Sequence, residues 1–316
     1  MSLFPKNLNE YVASLGIPRG PLSKAYLVDP VNGSDSNSGT NWQSPLKTLI
    51  AAEDLTVGDR HDAVLFLSGD TADNPTAAIA WDKDYTHLIG LSSGLYGLGQ
   101  RCRVVALAAT DLDQAITFSS NGCIVKNMQF NNEHASTAAA GCAKVTGQRN
   151  YFENVFFMAP TSDYAASYSM KSAGAENVYK HCTFGQTTNS RSTASYSLWL
   201  HKGAGASVCR ELYDECMFLS WGALHDHVLV HVDTDIATIP WWVIFKDCLF
   251  FNASGGGDTL TQAIYDNSTA TAHRILLWGK NSFGGVDAVA STLTYTFVQH
   301  FSHGGLMAAL EESAET

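Results

Sequence analysis

The sequence predicts an all-β chain wound into a right-handed parallel β-helix, a solenoid closed at its N-terminal end by a short helix. Three observations predict it. A six-residue phrase, apolar-x-polar-apolar-x-Phe, returns six times: at Val125–Phe130, Phe152–Phe157, Tyr179–Phe184, Tyr213–Phe218, Phe245–Phe250 and Trp278–Phe283. Its closing phenylalanines are 27, 27, 34, 32 and 33 residues apart, the kind of period expected of stacked units that cannot bury their apolar faces alone. Residue classes also recur at fixed places in the phrase, Phe at its end and Cys182, Cys216 and Cys248 at its fourth position. A parallel coil stacks like on like, whereas a meander or propeller has no need to.

Composition agrees. Charged residues are only 16% of the chain, with 26 Gly and abundant Ser, Thr and Asn, which suits many neutral, polar turns. The phrases themselves are short, aromatic-rich and bounded by turn residues, so each reads as a strand followed by a turn. The 316 residues suffice for one large domain, and the continuous repeat favours one.

The same numbers exclude classes of function. A formal charge of −11 with no basic run argues against nucleic acid as a partner. No stretch approaches the roughly 20 apolar residues of a membrane span, so no membrane partner is expected. Met1–Lys6 lacks the apolar core of a signal peptide. Seven cysteines, an odd number, lie within apolar strands; buried, reduced thiols and a cytoplasmic site of synthesis are the expectation.

Taken in order, residues 1–24 form an N-terminal arm with a short amphipathic helix over Asn7–Leu15, ended by Gly16, Pro18, Gly20 and Pro21. Ala25–Asp29 is a strand and Asn32–Thr40 a turn-rich loop. A short helix follows with Ser44 as N-cap and Pro45 at its first position. Asp62–Gly69 is the next strand. Tyr85–Gly90 and Cys102–Leu107 read as two early rungs, with Ala115–Phe118 as the strand before the first phrase. The β-helix domain extends over 25–300, and residues 301–316 are a C-terminal tail in which Leu306–Glu312 has helical character. Residues 186–200, 220–242 and 252–273 read as insertions between phrases, the places to look for contacts.

The order strand, Gly33-Ser34-Asp35-Ser36-Asn37-Ser38-Gly39-Thr40 loop, Pro45-Leu46-Lys47-Thr48 helix, Gly58-Asp59, strand resembles the start of single-stranded right-handed β-helix proteins of the pectate-lyase-like superfamily, which includes polysaccharide lyases and phage tailspikes. The resemblance implies that the helix plugs the first coil, where core side chains and a strand edge would otherwise meet water.

Two groups of residues have chemical potential. In a strand, residues two apart share a face, so His225 with His227, and His231 with Asp233 and Asp235, are candidate ligands for a divalent metal such as Zn, Ni or Mn. The plainer expectation is polar groups on strand exteriors, with no cofactor. Lyases of the resembling fold pair a Lys or Arg base with acids that hold a cation; Glu215 and Asp247 share the third position of the phrase, with Lys246 or Lys280 beside them. A glycosidase needs two carboxylates about 5 to 9 Å apart, for which Asp233, Asp235 and Asp258 are the candidates. Trp199, Trp221, Trp241 and Trp242 lie outside the phrase and suit an interface or a sugar ring.

A β-helix without an export signal and without a decisive acid–base cluster is expected to be a non-enzymatic structural virion protein of a bacteriophage, decorating the capsid or attached to the head or tail. It would be assembled in the host cytoplasm beside other virion proteins, and by family analogy as a homotrimer. The alternatives are a polysaccharide lyase or hydrolase of the depolymerase or tailspike kind acting on a surface glycan, and a glycan-binding adhesin.

Overall fold

A computed structural model describes residues 7–91, 102–133, 140–158, 160–161, 163–201, 209–222, 227–236, 242–254, 259–267 and 275–290. Its strands form three parallel sheets. The first has nine strands, from Ala25–Val28 to Ile275–Trp278; the second has seven, from Arg103–Ala106 to Ser282–Gly284; the third has eight, from Ile79–Trp81 to Val286–Ala290. Successive strands of the chain step from sheet to sheet, and every pairing is parallel to the equivalent strand one coil away. The chain is thus a right-handed parallel β-helix. Neither described helix is long and apolar enough to cross a membrane.

The phrase is more than a strand and a turn. Its first half lies in the first sheet, its last residues in the second, and its third residue is the corner between them. Asn127, Asn154, His181, Glu215 and Asp247 all have φ between 52° and 56°, a left-handed conformation that costs a non-glycine residue about 1–2 kcal/mol. The corner survives because its amide is used: Asn127 donates to the Glu153 carbonyl (3.0 Å), Asn154 to Lys180 (2.9 Å), His181 to Asp214 (3.0 Å) and Glu215 to Lys246 (2.8 Å). In the last phrase the corner is Gly279 (φ 77°) and not Lys280. Leu277 pairs with Phe245 and Trp278 with Lys246, and one residue is added before Ser282. Trp278 therefore faces outward and is 49% exposed.

Inside the coil, the register makes two aromatic ladders. In the first sheet Phe152, Tyr179, Tyr213 and Phe245 stack with centroids 5.0, 4.7 and 4.9 Å apart. In the second, Phe157, Phe184, Phe218, Phe250 and Phe283 follow at 5.4, 5.0, 4.8 and 4.8 Å. The ladders meet edge-on, as Phe184 against Tyr213 at 5.8 Å, an arrangement the ring quadrupole favours. Between them Cys182, Cys216 and Cys248 form the column expected of them, all buried and reduced, with Cys216 Sγ 3.3 Å from the Tyr179 carbonyl oxygen. Burial pushes the Cys216 thiol well above its ordinary value, so a thiol reagent at pH 8 is expected to leave the native protein nearly unlabelled. Urea should expose the thiols; prompt labelling without denaturant, followed by absorbance, would contradict the buried column.

Four sequence expectations are corrected. The plug helix, α2 (Leu49–Leu55), begins four residues after Pro45 with Thr48 as its N-cap. The backbone of Leu46 is already committed to the first strand, donating to the Leu27 carbonyl (2.8 Å) and accepting from the Asp29 amide (2.8 Å). Leu49 and Ala52 of α2 close the core beside Phe66 and Trp81. Residues 85–90 and 102–107 are two faces of one coil, with strands His87–Leu91 in the first sheet and Arg103–Ala106 in the second. The three supposed insertions contain the third-sheet strands Tyr196–Leu200, Val228–Val232 and Leu260–Asp266. Finally, the third residue of the phrase is the corner in the first five phrases but not in the sixth, where Gly279 takes the place of Lys280.

The amphipathic segment near the start forms helix α1 (Leu8–Ser14), capped by the Asn7 side chain. Leu8, Val12 and Ile17 cover Ala25, Leu27, Ala63, Leu65 and Ile89 on the outer side of the first sheet.

Candidate functional site on the outer face of the third sheet

Strand alternation decides what the third sheet shows to solvent. Met170, Leu198, Val230 and Ile264 stack inward, so the register partners Lys171, Trp199, His231 and Tyr265 stand outward in one column. Tyr168 and Tyr196 pair in a neighbouring column on the same outer side, because alternation is interrupted at the buried Ser169 and Ser197, which precede the inward Met170 and Leu198. The Tyr168 ring rests on Gly141, where a Cβ would lie 2.1 Å from the ring. Only glycine permits that contact.

The outward residues form one connected platform. Trp199 meets Tyr168 and Tyr196 edge-on at 5.5 and 5.2 Å, and Tyr196 stacks on His231 at 4.1 Å. The Lys171 ammonium lies 3.7 Å from the Trp199 ring centroid, a cation–π contact. Burial is the main reason that Lys171 is lowered to about 8; Asp233 and Asp235 act against it, while Lys144 adds to it.

At the strand ends the platform passes into ionisable groups. The indole N–H of Trp199 donates to Asp233 Oδ2 (2.7 Å). His201 Nε2 lies 3.5 Å from Asp233 Oδ2 and 3.3 Å from Asp235 Oδ2. Burial alone would raise the Asp233 carboxyl, but the Thr234 hydroxyl, His201, the Asp235 amide and the Trp199 N–H together hold it below the usual range. The arrangement offers a flat apolar ring, a cation and a carboxylate pair on one face, which is the chemistry a sugar ring with ionised substituents requires.

The other candidates fall into separate groups: His227 and His231 lie at and in the third-sheet strand Val228–Val232, while Glu215, Asp247 and Lys246 are neighbours at the first-sheet corners, with Lys246 Nζ 4.0 Å from Asp247 Oδ2 and the Glu215 amide 2.8 Å from the Lys246 carbonyl oxygen. His227 is turned inward: it is 3% exposed, with Nδ1 2.9 Å from Ser195 Oγ and Nε2 3.3 Å from Ser197 Oγ, and burial first of all lowers it to about 3. His231 belongs to the ring stack, lowered to about 4 chiefly by burial. Glu215, Asp247 and Lys246 lie around the first-sheet corner, away from the third-sheet platform. There Glu215 Oε2 contacts His181 Nε2 (2.6 Å), Asp247 accepts from the Lys280 amide (2.6 Å), and Lys246 pairs with Asp214 (2.7 Å). The Asp214 contact raises Lys246 above its ordinary value, which opposes a role as a base.

Of the tryptophans, Trp199 is in the platform, Trp221 follows the second-sheet strand Met217–Ser220, and Trp242 precedes the first-sheet strand Val243–Lys246. They therefore belong to different faces. His225, Asp258 and Trp241 lie outside the described residues. Sequence reasoning missed His201, Lys171, Tyr168 and Tyr196. The available signal was the local coil length: Trp199 pairs with His231, an offset of 32 residues, and stepping back by that offset from Asp233 reaches His201.

No protein-family model matches the chain, and no curated protein sequence does. Solved structures do. A pectin methylesterase in complex with a hexasaccharide matches with a TM-score of 0.61 at 12% identity, covering 89% of this chain and 90% of that one. A rhamnogalacturonan lyase matches with a TM-score of 0.57 at 14% identity, over 83% and 73% of the two chains. Pectate lyase Pel9A matches with a TM-score of 0.55 at 12% identity, over 88% and 78%. At such identities the likeness is one of fold, and it agrees with the stacked phrases and the three sheets: this chain has the single-stranded right-handed parallel β-helix fold of the pectate-lyase-like proteins.

Proposed function

We propose that the protein engages a carbohydrate through the outer face of its third sheet. The observation that carries this reading is the Trp199 platform, in which an aromatic ring is flanked by Tyr168, Tyr196 and Lys171 on one side and by Asp233 on the other. A sugar stacks its apolar face on such a ring while hydroxyl or carboxylate groups meet the charges. That the solved structures of similar fold include polysaccharide esterases and lyases agrees with it. Lys171, lowered to about 8, is the group best suited to removing a proton were the bound glycan also cleaved.

The test is binding of purified protein to a glycan array, followed by titration of the best ligand. Trp199→Ala is expected to weaken binding by about tenfold, or about 1.4 kcal/mol, while Trp278→Ala, on another sheet, leaves it unchanged. Equal affinity of Trp199→Ala and the unaltered chain would remove the platform from consideration. Release of unsaturated, ultraviolet-absorbing products would make the protein a lyase.

A second reading, the bacteriophage virion component, is favoured by a different surface. Beyond the area covered by α1, the outer column Tyr151, Val178, Leu212, Ile244 and Leu276 continues in register along the first sheet. Beside it runs a column of alternating charge, Lys126, Glu153, Lys180, Asp214 and Lys246. A half-apolar face of that length suits side-by-side association of rods, as in a trimeric shell or tail component. Light scattering that gives a trimer for the unaltered chain and a monomer for Ile244→Lys would support it, and detection of the chain in purified particles by mass spectrometry would establish its place.

A further inference from the structure

We propose that His201, Asp233 and Asp235 form a binding site for one divalent transition-metal ion, of the kind taken by mixed imidazole and carboxylate donors, such as Mn2+ or Zn2+. The inference does not rest on the carbohydrate reading. The donor atoms, one imidazole nitrogen and one oxygen from each carboxylate, all lie within 4.8 Å of one another, with His201 Nε2 3.3 Å from Asp235 Oδ2 and 3.5 Å from Asp233 Oδ2. Metal–ligand bonds of about 2.0–2.2 Å place adjacent donors roughly 3–3.5 Å apart. The three groups can therefore meet one ion with little movement.

The backbone holds the donors in place. His201 follows the strand Tyr196–Leu200 and its amide donates to the Ser172 carbonyl (2.8 Å); Asp233 follows the strand Val228–Val232 one coil later, donating to Leu200 (3.0 Å). The third donor sits in a closed turn, since the Ile236 amide donates to the Asp233 carbonyl (3.2 Å) and the Ile236 side chain is fully buried in the core. Asp233 has the outer partners that orient a metal-binding carboxylate: Trp199 Nε1 on Oδ2, and the Thr234 hydroxyl on Oδ1 at 3.1 Å. The side chains of His201 and Asp235 are 26% and 38% exposed, which leaves an approach for the ion and for water ligands.

A separate observation also calls for a partner. On the same strand face as Asp233, two residues earlier, His231 is 4% exposed and its Nδ1 has no hydrogen-bond partner among the described residues. An imidazole nitrogen left in that state is costly. The donor set separates this site from a calcium site, which is made of oxygens alone.

The test uses the full chain, stripped with a chelator and titrated calorimetrically with Mn2+, Zn2+ and Ca2+. The expected result is saturable binding of one Mn2+ or Zn2+ per chain and at least tenfold weaker Ca2+. His201→Ala and Asp235→Asn should each weaken Mn2+ binding by about tenfold or more, and Asp54→Asn, an exposed acid on α2, should not. Circular dichroism of the metal-free variants should match that of the unaltered chain. Absence of saturable binding to the unaltered chain would overturn the proposal without recourse to a variant. So would Ca2+ binding as tightly as Mn2+, or folded variants that bind like the parent.

Discussion

Phe218→Ala is expected to destabilise the protein by about 3–5 kcal/mol, the usual cost of emptying a buried phenylalanine site. Phe218 is fully buried. It stacks between Phe184 at 5.0 Å and Phe250 at 4.8 Å, and the edges of Tyr213 and Phe245 approach at 5.9 and 5.4 Å. Its neighbours are held by ladder hydrogen bonds above and below, so they cannot collapse into the space. The loss should also be felt along the rod, because each coil is stabilised chiefly by the coils next to it. Urea unfolding followed by circular dichroism measures the effect. Phe283→Ala, at the far end of the same ladder and only partly buried, should cost less than half as much. Equal losses at the two positions would show that the ladder does not couple the coils.

Glu211→Gln is expected to stabilise the protein at pH 8 by up to about 3 kcal/mol and to change little near pH 4.5. Glu211 is fully buried, in the register position held one and two coils earlier by Asn177 and Asn150. Those asparagines use their side chains on backbone: Asn150 Oδ1 accepts from the Cys123 amide (2.8 Å) and Asn177 Oδ1 from the Asn150 amide (3.0 Å). Glu211 ends that column, accepting from Ser172 Oγ (2.7 Å), Asn177 Nδ2 (3.0 Å) and the Tyr213 hydroxyl (2.7 Å). Burial is the main cause that raises its carboxyl from 4.5 to about 7, and the three hydrogen bonds only moderate it.

The sign follows from proton binding. Between pH 4.5 and 7 the folded state holds a proton that the unfolded chain has released, so stability is undiminished below about 4.5, falls across that interval and stays low above it. A shift of this size corresponds to about 3 kcal/mol. Glutamine, neutral at all pH values, removes this alkaline loss. His87 and His227, lowered to about 4 and about 3, mainly by burial, act in the other direction. Their contribution is present above about 6.5 and is lost as pH falls towards 4, so the acid limb of the stability profile should be the same in Glu211→Gln and its parent. Thermal melts from pH 4 to 9 check both limbs.

Much of this architecture is legible in the sequence. Phe130, Phe157, Phe184, Phe218, Phe250 and Phe283 announce a stacked ladder because parallel coils bring equivalent residues together, and the period is carried by side chains too large to be placed at random in a core. The cysteine column was legible for the same reason. The corner was not. Asn127, Glu215 and Asp247 look like polar residues within a strand, and only the path of the backbone shows that each occupies a left-handed turn between two sheets. Spacing counted back from Phe283 puts Lys280 in that column, because it ignores the residue added after Gly279.

The candidate site divides in the same way. Asp233 and Asp235 were visible as a short polar pattern after an apolar strand. Their partner His201 was not, because it lies one coil away, and neither was the fate of His227, drawn inside by Ser195 and Ser197. The sequence by itself determined the coil, its ladders and its neutral turns, since those follow from apolar periodicity and turn chemistry repeated along the chain. Only the tertiary structure decided which polar residues meet. That depends on coil lengths of 27 to 34 residues that vary from one turn to the next, and a shift of one residue in register moves a side chain from the core to the solvent face.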